Sequence, residues 1–407
     1  MKPHDSNISA CRICQGALFK VLQLEDLPLA NSLADLPNEE KPVYPIIIKV
    51  CEQCASAQLD TGIRKEVLYS NYSFATPDSI TLTKHYRSII DQLLENDIIT
   101  KNSKVVEIGS NNGAFLKELS RHASLCIGVD PISPMDSNDD GCTFIREYFD
   151  VERSSIILTD FGQFDLIISR HCMAHNVDLF ALIDGVDVLL NPNGTLIIEN
   201  SYWPSIIERG CYDQFYHEHI YYHTIKSISH LVGTIGMEIV QVKLNNVQGG
   251  SMQYCIKKKN QKDRDKTNFS KMIEIESNLS LRDTFSDFQK NIDCHIIDLR
   301  ATINNLCSRG KTIHAYGASA KASTLINTLK LTENEIPIII DSTPSKQGKY
   351  IPNTGIVICS EGHLISNWPD YYLITIWNYA DEVINKVKAL GNTKSKFIIP
   401  FPKVHII

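Results

Sequence analysis

The chain has 407 residues, of which 43% are hydrophobic and 21% are charged, a composition typical of a globular protein with two or three domains. The formal net charge of −7 excludes the strongly basic character of non-specific nucleic-acid and membrane-surface binders. The chain has no long apolar run and no apolar N-terminal stretch, and most of its cysteines are scattered singly, so we expect a cytoplasmic protein without a signal peptide, membrane span or nucleic-acid partner.

The first predicted element is a pair of Cys-x-x-Cys motifs with a long segment between them. Two such motifs supply four thiolates, the closed tetrahedral set of a structural zinc site, although a redox Cys-x-x-Cys has the same local spacing. Between them lie four prolines and one short apolar run at 46–50, too little core to fold without a metal. We therefore predict an N-terminal module over residues 1–75 that binds one structural Zn²⁺ through Cys11, Cys14, Cys51 and Cys54.

The next predicted elements are a helix at 80–94 and a strand, glycine turn and helix start at 104–116. Gly109 and Gly113 allow the backbone to approach a ligand closely, and the helix start offers unpaired N–H groups. A second strand ends at Asp130, about twenty residues on, where a carboxylate can bind the hydroxyl pair of a ribose. Two cofactors fit this arrangement, NAD and S-adenosylmethionine (SAM).

The glycine spacing favours SAM. The nicotinamide fingerprint Gly-x-Gly-x-x-Gly would need glycine at Asn111 and Ala114. Glu107, two residues before the first glycine, is the acid that class I methyltransferases place beneath the methionine end of SAM. The predicted cofactor-binding residues are therefore Glu107, Gly109, Asn111, Gly113 and Asp130.

Further strands complete a class I methyltransferase sheet. They are predicted at 164–169 and 194–199, with a turn at 191–194, and as an antiparallel pair at 236–243 and 251–256. The predicted fold class is α/β, with a Rossmann-like SAM-binding domain over residues 76–260. A Rossmann-like fold with a different site is the alternative.

Residues 212–223 contain four tyrosines, three histidines and a glutamate. Each of these polar groups needs a buried partner or water, which makes the cluster unusual for a plain core segment. Histidine titrates nearest neutrality, so the cluster suits proton transfer. A wet aromatic turn, or metal binding by His217 and His219, would produce the same composition.

The remainder of the chain predicts a second α/β unit. Residues 260–295 are polar and charged, which indicates a linker or a helical bridge, and strands are predicted at 312–316, 337–341 and 371–377. The turn at 317–323 carries Lys321 at a helix start, a pattern that suits phosphate binding or a plain helix cap. We assign this C-terminal α/β domain, Rossmann-like and without a second cofactor fingerprint, to residues 261–407.

Together these motifs resemble the sugar C-methyltransferases that act on nucleotide-linked 4-keto-deoxysugars. The similarity runs along nearly the whole chain and rests on the order and spacing of the cysteine pairs and of the motifs at 107–113, 216–219, 248–251, 316–321, 341–348 and 377–381. The resemblance implies SAM in the middle domain and a sugar nucleotide between the middle and C-terminal domains. It places substrate contacts at Gly249, Ser251, Lys321 and Lys346, although Gly249 is also a plain turn residue by its sequence.

The resemblance also implies a histidine base at His219, with Tyr216 and Glu218 beside it. A tyrosine near residues 72–76 enters the active site of this family. Here Tyr72 keeps the hydroxyl group and Phe74 lacks it, so the role survives only if Tyr72 is the aligned residue. Asn112 stands where relatives often have aspartate.

We therefore expect a monomeric SAM-dependent C-methyltransferase acting on a small-molecule nucleotide sugar. In this hypothesis His219 removes the C3 proton of a nucleotide-linked 4-keto-6-deoxysugar, and Tyr216, with Tyr72, hydrogen-bonds the enolate oxygen. Glu218 either sets the histidine tautomer or holds a sugar hydroxyl. The alternatives are an O- or N-methyltransferase, an NAD-dependent sugar enzyme, and a non-catalytic protein that binds zinc and SAM.

Overall fold

The computed structural model describes residues 4–5, 8–68, 79–133, 138–139, 141–259, 266–363 and 368–407. The predicted active-site segment at 72–76 lies outside these ranges. Within them, no helix has both the length and the apolar character needed to cross a membrane.

The N-terminal module is built on a small antiparallel sheet. Its elements are His4–Asp5 (β1), Leu18–Gln23 (β2), Leu27–Pro28 (β3), Val43–Tyr44 (β4), Ile47–Cys51 (β5), Ala57–Leu59 (β6), Gly62–Ile63 (β7) and Lys65–Leu68 (α1). Strands β2, β5 and β6 are neighbours. The fourth strand of the sheet is Tyr221–Tyr222, which belongs to residues 212–223, the predicted proton-transfer segment. The zinc module and that segment therefore share one sheet.

The middle domain is an eight-stranded sheet with helices on both faces. Its strands are Lys104–Ile108 (β8), Leu125–Val129 (β9), Asn138–Asp139 (β10), Cys142–Ile145 (β11), Phe164–Arg170 (β12), Leu190–Ser201 (β13), Met237–Asn245 (β15) and Ser251–Lys258 (β16), with Tyr221–Tyr222 as β14. Its helices are Ile80–Glu95 (α2), Ala114–Ser120 (α3), Val151–Phe161 (α4), Leu179–Leu189 (α5), Trp203–Arg209 (α6), Ile225–Gly233 (α7) and Lys266–Glu276 (α8). Alternate residues of β8 face opposite sides of the sheet. Val105 belongs to the hydrophobic layer that contains α2 and α3, and Val106 belongs to the layer that contains α4, α5 and α7.

The strand order of this sheet is β10-β11-β9-β8-β12-β13-β16-β15. Strands β11, β9, β8, β12 and β13 run parallel, and the last two form an antiparallel pair. This arrangement confirms the predicted class I methyltransferase fold. All carboxyl ends of the parallel strands meet at one edge, where open α/β sheets bind their ligands.

One local expectation differs from the structure. The predicted turn at 191–194 lies inside β13, where the pairing with β12 jumps from Leu190 to Thr195 and the four residues between bulge out of the ladder. Of the two alternatives for the segment after residue 260, a linker or a helical bridge, the structure has the helical one, and α8 packs on β15 and α7. The carboxylate of Glu276, at the end of α8, accepts hydrogen bonds from Tyr202 and from the first turn of α7. The domain boundary at 260 stays a prediction, and it falls just before a helix that packs on the middle sheet.

The C-terminal domain is a second, six-stranded α/β sheet. Its elements are Phe288–Ser308 (α9), Ile313–Tyr316 (β17), Ala320–Thr328 (α10), Ile338–Ile340 (β18), Val357–Cys359 (β19), Tyr371–Ile374 (β20), Ala380–Ala389 (α11), Lys396–Ile399 (β21) and His405–Ile406 (β22). The order is β19-β18-β17-β20-β21-β22, with the first five strands parallel. The order reverses beside β17, so the turn after this strand occupies the switch point at which such sheets bind ligands.

A continuous hydrophobic core joins all three parts. It runs from the zinc-module sheet through α6 and the proton-transfer segment to the C-terminal sheet. At its centre an aromatic group surrounds Trp203, whose ring centroid lies 5.9 to 6.1 Å from those of Phe215, Tyr222, Phe285 and Phe288. The proton-transfer segment is therefore held rigidly between the three parts.

Candidate active site

The four N-terminal cysteines converge at one end of the zinc-module sheet. The Sγ atoms of Cys11 and Cys54 are 3.6 Å apart, those of Cys14 and Cys51 are 3.3 Å apart, and all four lie within 4.8 Å of one another. A tetrahedral zinc with bonds of about 2.3 Å separates its sulfurs by about 3.8 Å, so the set fits a zinc ion. Gln58 Nε2 also donates to Cys11 Sγ at 2.8 Å, a contact that spacing alone does not reveal.

The predicted SAM turn has the backbone that its glycines suggested. Gly109, Asn111 and Gly113 all have positive φ, at 76°, 49° and 78°. Both carboxylate oxygens of Asp130 accept backbone N–H groups, from Asn111 at 3.0 Å and Ile132 at 2.9 Å, so Asp130 fastens the end of β9 to the turn after β8. Gly109, Asn111 and Asp130 line a cavity of about 950 Å³. Gly113 and Glu107 are buried and are not among the residues that line this cavity.

The proton-transfer segment centres on a short contact between Tyr216 and His219. The Tyr216 hydroxyl lies 2.6 Å from His219 Nε2, and both side chains are buried. The His219 ring is 4.9 Å from that of His175, which lines the 950 Å³ cavity. Burial, together with the charges of His175 and Lys321, holds the pKa of His219 well below its usual range. His219 is therefore neutral near pH 7 and able to accept a proton.

Glu218 points away from this pair and toward the zinc module. Its Oε1 accepts from Asn31 Nδ2 at 3.0 Å, whereas Oε2 is buried without a hydrogen-bond partner. Burial raises the pKa of Glu218. The neighbouring His217 contacts the backbone oxygen of Tyr44 through Nε2 at 3.2 Å. Two consecutive residues of the segment thus rest on the N-terminal module.

The four predicted substrate contacts fall into two groups. Gly249 lies in the turn between β15 and β16, and Ser251 is the first residue of β16, where its Oγ donates to Val247 O at 2.9 Å. A Cβ atom on Gly249 would lie 2.9 Å from the Trp377 ring, so this glycine permits close packing on the C-terminal domain. Lys321 is buried at the same junction and donates to Gln248 O at 3.0 Å.

Lys346 lies beside the turn that follows β17. Its Nζ donates to Ala318 O at 2.9 Å and is 3.9 Å from the Asp341 carboxylate. That carboxylate accepts from Ala318 N at 2.8 Å. Lys346 and Lys321 therefore flank the 317–320 turn and the start of α10 from two sides, each with part of its donor capacity used internally.

Three family models match the chain in consecutive blocks. Their descriptions are "Putative zinc binding domain" for residues 11–69, "Methyltransferase domain" for residues 81–242 and "C-methyltransferase C-terminal domain" for residues 246–402. A relative from Streptomyces niveus, the C-methyltransferase NovU, is 29% identical over 407 residues, covering 98% of this chain and 97% of the relative. The three domain matches and the full-length relative show that this chain is an enzyme, a SAM-dependent C-methyltransferase with an N-terminal zinc-binding domain.

Two solved methyltransferase structures resemble part of this C-methyltransferase, each with a TM-score of 0.34. The magnesium protoporphyrin IX methyltransferase of Synechocystis PCC 6803 is 15% identical and covers 46% of this chain and 90% of its own. A SAM-dependent methyltransferase of Anabaena variabilis is 16% identical and covers 42% and 84%. The fold class follows from the strand order of the middle sheet.

SAM is the cofactor of this C-methyltransferase, and one zinc ion is its metal. The positive-φ turn, the helix start and the 950 Å³ cavity accommodate a nucleotide-sized ligand at the carboxyl edge of the sheet. The four-thiolate set leaves no open coordination position, so the zinc is structural.

Three side chains of the site were missed by sequence reasoning. His175 follows β12 and places its ring against His219, Asn31 reaches Glu218 from the N-terminal module, and Arg170 ends β12 beneath the cavity. Asn31 and His175 lie in stretches without a motif. Arg170 is the charged last residue of a strand at the binding edge of the sheet, which is a signal that could have singled it out.

The Gly113→Ala substitution is expected to lower the free energy of unfolding by about 2–4 kcal/mol, from left-handed backbone strain and overpacking together. The added Cβ would lie 2.3 Å from the Phe144 ring at a φ of 78°. We also expect weaker binding of S-adenosylhomocysteine (SAH), measured by titration calorimetry, with stability measured by urea unfolding.

Gly210→Ala is the matched control. Gly210 also has positive φ, at 61°, but no atom lies within 4 Å of the added Cβ. Only the backbone strain remains there, so its loss should be about 1–2 kcal/mol with SAH binding unchanged. Equal losses for the two variants would contradict a steric role for Phe144.

Proposed function

We propose that this C-methyltransferase methylates C3 of a nucleotide-linked 4-keto-6-deoxysugar through an enolate. The observation that carries the proposal is the buried Tyr216–His219 pair, 2.6 Å apart and adjacent, through His175, to the cofactor cavity. A C–H bond beside a ketone becomes acidic enough for an enzyme base when a donor meets the developing charge on oxygen. The pair offers one group for each task.

His219 is the proposed base. Its lowered pKa keeps the imidazole neutral near pH 7. We assign the proton of the resting ring to Nε2, donated to the Tyr216 oxygen, which leaves Nδ1 to take the C3 proton. Nδ1 is buried, and the same burial keeps the ring neutral until the C3 proton arrives.

Tyr216 is the proposed donor to the ketone oxygen. In the assigned tautomer its oxygen accepts from His219 while its O–H donates to the substrate. When His219 gains the C3 proton, its positive charge strengthens the donation from Tyr216. Deprotonation at carbon and charge stabilisation at oxygen are thereby coupled through one hydrogen bond. Tyr72, outside the described residues, remains the proposed second donor.

When bound, SAM supplies an electrophilic methyl group on a sulfonium. Gly109, Asn111 and Asp130 would hold this cofactor, and transfer of its methyl group to the C3 carbanion would leave the C3-methylated ketone and SAH. His219 then releases the proton it holds to solvent. The zinc ion, held by Cys11 and its three partners, takes no part in these steps.

Glu218 is proposed to hold a sugar hydroxyl rather than to set the tautomer of His219. Its Oε1 is engaged by Asn31, and Oε2 is buried without a partner. A hydroxyl donor from the substrate would satisfy that oxygen. The N-terminal module would thus orient a substrate-binding carboxylate through Asn31.

The nucleotide is proposed to lie between the middle and C-terminal domains. Lys321 and Lys346 bring two positive charges to the switch-point turn of the second sheet, where α10 begins. Gly249 and Ser251 shape the opposite wall.

We further propose that the protein is a monomer. We also propose a reducing, cytoplasmic setting for it, which is supported by the twelve cysteines, all within the described residues and none in a disulfide.

A single labelling experiment tests this function. The enzyme is incubated with SAM carrying a ¹³C-methyl group and a panel of nucleotide-linked 4-keto-6-deoxysugars, and the label is located by NMR. We expect the label on ring carbon C3, and deuterium exchange at C3 when SAH replaces SAM in D₂O. Label on oxygen or nitrogen would instead identify an O- or N-methyltransferase. Lack of SAM consumption with every sugar would overturn the proposed substrate class.

A further inference from the structure

A buried ion pair lies beneath the cofactor cavity, at the carboxyl ends of two neighbouring strands. Glu107 is near the end of β8 and Arg170 is the last residue of β12. Arg170 Nη2 donates to Glu107 Oε1 at 2.6 Å. The side chains are 10% and 0% exposed, so Glu107 is shielded from water, whereas Arg170 is accessible only to a small extent and lines the cavity.

This pair satisfies only part of its hydrogen-bonding capacity. Glu107 Oε2 and Arg170 Nε are both buried, and neither has a hydrogen-bond partner among the residues that the structure describes. An arginine and a carboxylate can form two parallel hydrogen bonds, and leaving a buried charged group unpaired is costly. The guanidinium also packs on two aromatic rings, with its Cζ 4.1 Å from the ring centroid of Phe115 and 4.5 Å from that of Tyr86. The fixed guanidinium therefore has donor capacity for a further anion.

The cavity supplies the place for that anion. Arg170, Tyr86, Phe115 and Gly109 all line it, whereas Glu107 lies behind them. In the sheet, β8 separates β9 from β12. A cofactor whose ribose lies at Asp130, on β9, therefore extends its other end across the glycine turn toward β12 and Arg170. The chemical group at that end of SAM is an amino acid with a free carboxylate.

We propose that Arg170 binds the α-carboxylate of the methionine half of SAM and that Glu107 is a positioning residue that holds the guanidinium in place. The aromatic rings fix its plane, Glu107 fixes one edge, and the remaining edge faces the cofactor. This arrangement makes the site selective for a nucleoside thioether that carries a carboxylate. The proposed role of Arg170 concerns binding of the cofactor alone, so it can be tested without a sugar substrate and without methyl transfer.

Binding measurements without catalysis test this proposal. Titration calorimetry compares SAH with its decarboxylated analogue, which keeps the ammonium group and lacks the carboxylate. We expect the native enzyme to prefer SAH by roughly 10–100-fold, the size of a charge-assisted hydrogen bond. Arg170→Met should remove this preference and leave the affinity for the analogue within about threefold of native. Equal affinity of the native enzyme for both ligands would overturn the proposal.

Two further variants separate recognition from structure. Arg146→Met is the matched control, because Arg146 lines the same cavity near Asp130, is exposed, and donates to Pro131 O. It should leave the ratio of the two affinities unchanged. If Arg170→Met does not fold, the Glu107→Gln/Arg170→Met double variant removes the uncompensated carboxylate and allows the same comparison. Parallel weakening of both ligands in the Arg170 variants would assign Arg170 a purely structural role.

Discussion

Replacing His219 with asparagine is expected to slow methyl transfer by roughly 10²–10⁴-fold, the usual contribution of a general base. Asparagine keeps a polar group beside Tyr216 but has no basic nitrogen for the C3 proton. Exchange of that proton with D₂O should fall by the same factor, because it depends on the same deprotonation. Rates are measured with SAM for turnover and with SAH for exchange.

His230→Asn is the control for this experiment. His230 is an exposed residue of α7, outside the catalytic segment, and its replacement should leave both rates unchanged. SAH binding should be native in both variants, which shows that the cavity is intact. A His219→Asn enzyme that exchanges the C3 proton at the native rate would disprove the base assignment.

Loss of one zinc ligand is expected to have the largest effect on stability. Structural zinc contributes about 10–16 kcal/mol of apparent free energy in zinc-finger peptides, so Cys51→Ser should lower the midpoint of thermal unfolding by on the order of 10 °C and release the metal. Metal content is measured by mass spectrometry and unfolding by calorimetry. Methyl transfer should also fall, although the zinc lies outside the reaction.

We expect the loss of activity because the zinc module contacts the proton-transfer segment. Asn31 bonds Glu218, the Tyr44 backbone bonds His217, and β6 pairs with β14. Cys294→Ser is the matched control, because Cys294 is exposed on α9, and it should retain zinc, stability and activity. A zinc-free Cys51→Ser enzyme with native turnover would show that these contacts are dispensable.

Local sequence patterns predicted the parts of this molecule that are built locally. The turn from Gly109 to Gly113, the helix α2, the closing hairpin and the cysteine pairs each have a periodicity or spacing that follows from backbone geometry. The order of strands then follows from the class I methyltransferase pattern. The fold class, the SAM cofactor and the single zinc were therefore accessible from the sequence.

The contacts between distant segments were not accessible in this way. His175 and Asn31 join the site only because separate parts of the chain meet, and α8 packs on the middle sheet through Glu276. Arg170 acquires its surroundings from α2, α3 and β8, three elements with no shared motif. A single sequence, without correlated substitutions among relatives, contains no pattern that indicates which distant segments contact each other.

The pairing of β14 with β6 constrains the order of events during synthesis. Tyr222 pairs with Ala57, so the zinc-module sheet gains its last strand only after more than 160 further residues have been made. Contacts between such distant segments form late because the loop between them must first be closed. A nascent chain can bind zinc early, but its N-terminal sheet keeps an open edge until the methyltransferase domain has been translated. The pairing of β14 with β6 also brings the segment around His219 into position. The N-terminal sheet and the proposed catalytic segment are therefore completed in the same step of folding.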